Sequence, residues 1–199
     1  MTYFPFSETI ILENERVLLR PLTEADFKHL KTFSLTEPEL WTYSLLPANG
    51  LENLKSYIEI ALQKKAVNDS YPFIIFDKKN EQYTGSTRFY DIQQHHETTQ
   101  LGYTWFGKKF QRTGLNRHCK YLMLQYAFDT LHFQRIEFRA DATNAKSITA
   151  MKAIGCKEEG ILRSNCVSPS GRRDSIVLSI LKAEWEASVK NNLQQLLMP

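Results

Sequence analysis

The residues best placed to do chemistry lie between Trp105 and Tyr121. A strand pattern ends at Phe106, a loop carrying Gln111-Arg112-Thr113-Gly114-Leu115-Asn116 follows, and a long helical pattern opens directly after it. A helix N-terminus presents backbone N–H groups with no intrahelical partner and a partial positive charge. A glycine just ahead of it lets the backbone come close to an anion. Together these features make a phosphate or pyrophosphate site. Lys108, Lys109, Arg112, Arg117 and Lys120 fall in the same stretch, with no acidic residue from Lys108 to Lys120. The competing reading is a solvated basic helix start, the usual role of a charge run. Strand, glycine loop, helix and basic cluster in succession favour the anion site. Gly107 and Gly114 are too far apart for G-x-x-x-x-G-K-[ST], no Lys-Ser/Thr pair follows Gly114, and the loop is not G-x-G-x-x-G. Nucleotide triphosphatases and dinucleotide-binding dehydrogenases are therefore disfavoured.

The elements that must position this loop follow from periodicity. Arg16 to Arg20 reads as a strand ending at Pro21. Thr23 is an N-cap with Asp26 three residues on, and Leu22 and Phe27 occupy the positions of a hydrophobic staple. A second helix places Leu51, Leu54, Ile58, Ala61 and Leu62 on one face. Tyr71 to Asp77, Tyr83 to Tyr90 and Thr99 to Phe106 are strands joined by short polar turns, which predicts an antiparallel meander. Asn116 to Leu131 is helical, with Leu115, Tyr121, Leu122, Leu124, Ala127, Phe128 and Leu131 available to the core. Arg135 to Ala140 is a strand, and Ala145 to Ile154 is a helix closed by Gly155. Glu159 to Cys166 and Arg173 to Leu181 are strands joined by the turn Ser168-Pro169-Ser170-Gly171. Ala183 to Leu197 is helical. The order predicts an α/β (α+β) fold, a mixed sheet with helices on both faces.

Bulk properties bound the function. A chain of 199 residues suits one domain over 1–199, with an N-terminal extension at 1–14 and a C-terminal helix at 183–199. Apolar content of 42% and charged content of 24% are ordinary for a globular protein. The net charge of +3 is too small to argue for nucleic acid. Cys119, Cys156 and Cys166 form a sparse, odd set without C-x-x-C spacing, which suits a reducing compartment. No metal site is expected, since His95 and His96 are adjacent and no Cys pair has ligand spacing. Met1 to Glu8 lacks the basic and apolar regions of a signal peptide. No stretch approaches the ~18 apolar residues of a membrane helix. The expectation is a cytoplasmic protein with no membrane partner.

Gln111-x-x-Gly114-x-Asn116 resembles the Q/R-x-x-G-x-G/A signature of the GNAT N-acetyltransferases, with Asn116 in place of the final small residue. Leu19-Arg20-Pro21-Leu22, with Asp26 and Leu30, resembles the first strand and helix of the subgroup that acetylates ribosomal protein N-termini. Gly102-Tyr103-Thr104-Trp105 resembles its fourth strand. Asn144-x-x-Ser147, Gly155-Cys156, Glu159-Gly160, Leu162-Arg163, Gly171-x-x-Asp174 and Glu184-Trp185 resemble its second half in order. The resemblance spans Glu15 to Trp185. It implies a single twisted mixed sheet whose fourth and fifth strands splay apart, and acetyl-CoA as the cofactor.

The resemblance also implies roles. The amides of Gln111, Arg112, Thr113, Gly114, Leu115 and Asn116 would cradle the pyrophosphate. Trp105 and Phe106 would offer backbone groups to the pantetheine arm, while their side chains read as core aromatics. Asn144 would bond the same arm, or cap the helix that follows it, or both. Direct transfer needs a neutral amine, donors for the tetrahedral oxyanion, and a proton or hydrogen bond for the departing thiolate. Most family members place Tyr seven residues after that Asn. Here the position is Met151, and Ser147 is the candidate donor, as in the ribosomal-type subgroup. Many relatives carry Glu beside the Gly-Tyr of the fourth strand. Here Gln100 stands two residues before Gly102, and the candidate carboxylates are Glu97, Glu137, Asp141 and Asp174. Deprotonating an α-amine at pH 7 costs about 1 kcal/mol and a lysine about 4.6 kcal/mol, so a weakly basic acceptor is easier to explain. Trp41, Tyr43, Arg88 and Tyr90 are the candidate acceptor-binding residues.

The expected activity is acetyl transfer from acetyl-CoA to a primary amine, either a protein N-terminus or a small molecule. The alternative is a non-catalytic acyl-CoA sensor, kept open by Met151 and Gln100. A nucleic-acid-binding domain rests only on the basic helix start and is disfavoured. Monomer and homodimer are both compatible with the sequence.

Overall fold

The alternating strand patterns assemble into one sheet of eight strands, in the order β1-β2-β3-β4-β5-β6-β8-β7. The computed structural model describes residues 3–169 and 171–197. The strands are β1 Leu12–Glu13, β2 Val17–Pro21, β3 Ser70–Asp77, β4 Gln82–Gln93, β5 Thr98–Phe106, β6 Arg135–Asp141, β7 Lys157–Ser168 and β8 Gly171–Leu181. Every pairing is antiparallel except β5 with β6. The expected meander is β3-β4-β5. Ser170, in the predicted turn between β7 and β8, lies outside the described residues.

The helices are α1 Phe27–Thr36, α2 Leu51–Ala66, α3 Leu115–Gln125, α4 Ala145–Ala153, α5 Lys182–Glu184 and α6 Lys190–Gln195. Neighbouring β4 residues show which helices cover which face, because successive side chains point to opposite sides. Ser86 Oγ lies 3.5 Å from the Tyr57 hydroxyl of α2, whereas Thr87 Oγ1 lies 3.7 Å from Met123 Sδ of α3. The sheet is thus covered by α1 and α2 on one side and α3 on the other.

Local signals act as expected at the helix starts. The Thr23 amide donates to Asp26 Oδ2 at 2.8 Å, closing the capping box. Asp26 is also ion-paired to Arg20 at 2.6 Å. Gly155 takes φ +100 after α4. All seven apolar residues expected on the third helix are buried.

Three details differ from expectation. A strand not predicted, β1, forms at Leu12–Glu13, and Phe4, Ile10 and Leu12 are buried in the core. Such a two-residue strand has too little alternation to be read from sequence. Leu51 is turned outward and exposed, while Tyr57 joins Leu54, Ile58 and Ala61 on the buried face. The helical segments predicted at Asn116 to Leu131 and Ala183 to Leu197 each pass through a π-type turn, Tyr126–Thr130 after α3 and Trp185–Val189 between α5 and α6.

Candidate active site

The parallel β5–β6 pairing is short. It runs Thr98↔Arg135, Thr99↔Ile136 and Gln100↔Glu137, and then stops. Beyond Gln100 the β5 backbone pairs only with β4, and beyond Glu137 the β6 backbone pairs only with β8. The two strands therefore splay, as the resemblance implied for its fourth and fifth strands; the added β1 makes them β5 and β6 here. The split opens toward Phe106, where the chain turns into the loop before α3.

That loop is shaped to bind an anion. Gly114 is the N-cap of α3 at φ +85, ψ −20, and a side chain there would meet nothing within 4 Å, so the approach to its backbone is open. Arg112 is also left-handed at φ +63. Among the described residues the amides of Arg112, Thr113, Gly114, Leu115 and Asn116 donate to no protein acceptor. Five unpaired N–H groups beside a helix N-terminus fit a pyrophosphate. Gln111 braces the loop, its Nε2 donating to the Phe106 carbonyl at 2.8 Å and its Oε1 accepting from Lys146 of α4. The Thr113 hydroxyl donates to the Phe110 carbonyl at 2.7 Å. The Leu115 side chain is buried, so only its backbone faces the cleft.

The basic cluster does not all serve this loop. Lys108 pairs with Glu39, and Lys109 donates to Gln82. Lys120 points inward and is buried, its Nζ 2.7 Å from the Thr104 hydroxyl of β5. Burial pushes its pKa from 10.5 down to about 7. Of the five, Arg112 and Arg117 are exposed beside the loop with no side-chain partner among the described residues.

Across the split, Asn144 caps α4, its Oδ1 accepting from the Ser147 amide at 3.1 Å. The half-buried Ser147 hydroxyl makes no hydrogen bond among the described residues. Met151 is buried one turn further on. Trp105 and Phe106 are buried aromatics, as their residue types suggested.

The face under α1 and α2 holds the other predicted residues. Trp41 packs on Trp105 with ring centroids 5.2 Å apart. Tyr90 and Tyr103 meet edge to face at 5.1 Å. The Arg88 guanidinium lies between aromatic rings, 4.2 Å from Tyr103 and 4.9 Å from Tyr57. Tyr43 departs from this group: its ring is exposed, and its contribution is a carbonyl that accepts from Arg173 of β8 at 3.1 Å. Sequence reasoning did not single out Tyr57 or Arg173, named Tyr103 only within the fourth-strand motif, and read Lys120 as part of the basic run. Tyr103 sits in the one segment where β5 bulges against β4, at φ +49. A non-glycine residue in that region is strained, and such strain gathers at functional sites.

Three of the four candidate carboxylates are engaged. Glu137 accepts from Arg135 and Arg139 at 2.8 and 2.6 Å. Asp174 accepts from the Ser164 amide at 2.7 Å. Burial acts to raise the Asp141 pKa, but Thr143 and Arg173 outweigh it and hold the carboxyl below the usual range. Glu97 is a left-handed residue outside the split, at φ +53. Gln100 Nε2 donates to Asp91 at 2.7 Å.

Residues 16–157 match the family model described as the acetyltransferase (GNAT) domain. The chain is 23% identical over 175 residues to the uncharacterized N-acetyltransferase p20 of Bacillus licheniformis, covering 87% of this chain and 97% of that protein. Among solved structures, a GCN5-related N-acetyltransferase from Brucella melitensis superposes with a TM-score of 0.90 at 25% identity, covering 100% of this chain and 90% of the other. The ribosomal-protein-S5-alanine acetyltransferase of Vibrio fischeri superposes with a TM-score of 0.72 at 18% identity, covering 88% and 98%, which shows a shared fold. Among the described residues no helix is long and apolar enough to cross a membrane.

Proposed function

From the premise that the chain belongs to the GNAT acetyltransferase family, whose cofactor is acetyl-CoA, we propose that it acetylates the α-amine of a small molecule or protein N-terminus by direct attack. The observation that carries this reading is the split between β5 and β6, with unpaired amides of residues 112–116 at its open end. When bound, acetyl-CoA supplies an acetyl group already activated as a thioester.

The remaining work falls to the protein. The amides of Arg112 to Asn116 hold the pyrophosphate, and the unpaired edge of β5 around Trp105 and Phe106 holds the pantetheine arm. Asn144 keeps its amide nitrogen for that arm while its oxygen caps α4. Ser147 donates its hydroxyl to the leaving sulfur, the role Met151 cannot take. Trp41, Arg88 and Tyr90 shape the acceptor side, with the Tyr43 loop pinned by Arg173. The engaged carboxylates favour an acceptor whose amine is already partly neutral at pH 7, because no strong base has to be supplied. The ribosomal-type subgroup is supported by the motifs shared from Leu19 to Trp185.

The unbonded Ser147 hydroxyl favours this reading over a non-catalytic sensor. The test compares free-CoA release with an α-amine peptide and with a lysine ε-amine blocked at its α-amine, both near pH 7. The α-amine should react at least tenfold faster, as the cost of deprotonation predicts. Equal rates would contradict the α-amine assignment.

A further inference from the structure

Arg88 is 2% exposed and has no carboxylate partner and no hydrogen-bond acceptor among the described residues. Its Nε and Nη2 are both buried and unbonded. Only the faces of Tyr57 and Tyr103 meet the charge. Ring faces offset part of the desolvation of a guanidinium. They cannot accept its N–H groups in the plane of the fork, and a buried charge without such partners is costly. The same face carries two more buried donors without acceptors, the indole N–H groups of Trp41 and Trp105. Three buried donors without acceptors on one face point to an acceptor-rich ligand; the Oε1 of Gln100, opposite Tyr90, is an unbonded acceptor on the same face. Arg88 also stands opposite Gly102 in the β4–β5 register, beside the bulge at Tyr103 and the end of the β5–β6 pairing.

We propose that Arg88 anchors an oxyanion subsite, so that the acceptor amine carries a compact carboxylate or phosphate group close to its nitrogen. This rests on the acetyl-transfer reading above and narrows its substrate class. The planar fork binds either oxyanion through two parallel hydrogen bonds, a geometry a lysine cannot reproduce. The subsite selects against polycationic amines, which would bring like charge to a buried guanidinium.

The test compares acceptors that differ only in the anionic group. Phenylalanine is set against phenylalaninamide, and O-phosphoethanolamine against ethanolamine, reading kcat/KM from free-CoA release. The anionic member of at least one pair should be preferred by about tenfold or more, the scale of a charge-assisted hydrogen bond; which pair discriminates identifies the oxyanion. The neutral partners, phenylalaninamide and ethanolamine, are the less basic amines, so a preference for the anionic member runs against intrinsic reactivity. In Arg88→Met the ratio should collapse toward one, and Arg88→Lys should restore part of it. Independently of turnover, N-acetylphenylalanine should bind the wild-type protein with CoA present, and N-acetylphenylalaninamide should bind at least tenfold more weakly. If the analogue binds through Arg88 but no amine releases CoA, the transfer reading fails and the subsite stands. If neutral and anionic partners react and bind alike, the subsite is refuted and the transfer reading stands. If no amine reacts and neither analogue binds, both are refuted.

Discussion

The Lys120 amine of α3 lies 2.7 Å from the Thr104 hydroxyl of β5, beneath the strand edge from which β6 has already parted. The Thr104 hydroxyl is in turn 2.8 Å from that of Thr87 on β4. No carboxylate pairs with Lys120 among the described residues. Its titratable neighbours are Cys119 and Cys156, whose thiols burial pushes up to about 12, so both stay protonated at neutral pH.

Removing this buried amine should stabilise the protein. Burial brings the folded pKa from 10.5 down to about 7, so between those values the unfolded chain binds more protons than the folded one. Stability therefore rises with pH across that window, and the penalty is full below it. Lys120→Met should raise stability at pH 6 by on the order of 4 kcal/mol, less the lost hydrogen bond to Thr104, and should flatten the dependence up to pH 10. Denaturant unfolding at the two pH values measures this. A variant no more stable at pH 6 and equally pH-dependent would show that the amine keeps its ordinary pKa.

Gly114 is the most exacting residue of the anion loop. Its φ of +85 leaves it in left-handed space with open room around it. Gly114→Val should strain the loop by roughly 1–2 kcal/mol without any core clash. Acetyl-CoA affinity should fall about tenfold or more, and the melting temperature should drop by only about 2–8 °C. Calorimetric titration reads the first effect and thermal unfolding the second.

Asn144 and Ser147 separate cap from chemistry. Asn144→Ala removes the bond to the Ser147 amide and should cost about 1 kcal/mol of stability, along with some affinity for acetyl-CoA. Ser147→Ala leaves that bond in place, because its amide does the donating. It should lower kcat roughly a hundredfold with little change in acetyl-CoA affinity. Unchanged kcat in Ser147→Ala would remove its assigned role.

The first turn of the domain depends on one ion pair whose carboxylate is buried. Asp26 is 1% exposed, accepts from Thr23 and is paired with Arg20. Burial acts to raise its pKa, but Arg20 and Thr23 outweigh it and hold it below 3.8. Its contribution is thus present above the unfolded pKa and lost as pH falls through the lower folded value. Asp26→Ala should cost roughly 1–3 kcal/mol by removing the acceptor of Arg20 and Thr23, measured by unfolding at pH 7. The difference from wild type should shrink below pH 4.

Local features of the fold were legible and partnerships across the sheet were not. Thr23 and Asp26, Gly114 and Gly155 act within a turn of themselves, so residue type and spacing reveal them. The meander was legible because its links are short. Lys120 was read with its neighbours in a basic run facing a phosphate, yet helical periodicity turns it the other way. Only the tertiary packing of α3 on β5 shows where it goes. Arg88 was named for its type, but its burial between Tyr57 and Tyr103 brings together α2, β4 and β5. Arg173 meets Tyr43 across 130 positions, a distance no motif records.

If the split between β5 and β6 holds acetyl-CoA for transfer to an amine, the product is visible by mass spectrometry of a reaction with acetyl-CoA and a panel of α-amines, with free CoA measured in the same tubes. One N-acetylated product should form per CoA released, and both should be lost in Gly114→Val at limiting acetyl-CoA. Saturable acetyl-CoA binding with no acetylated amine and no CoA above the amine-free control would contradict it.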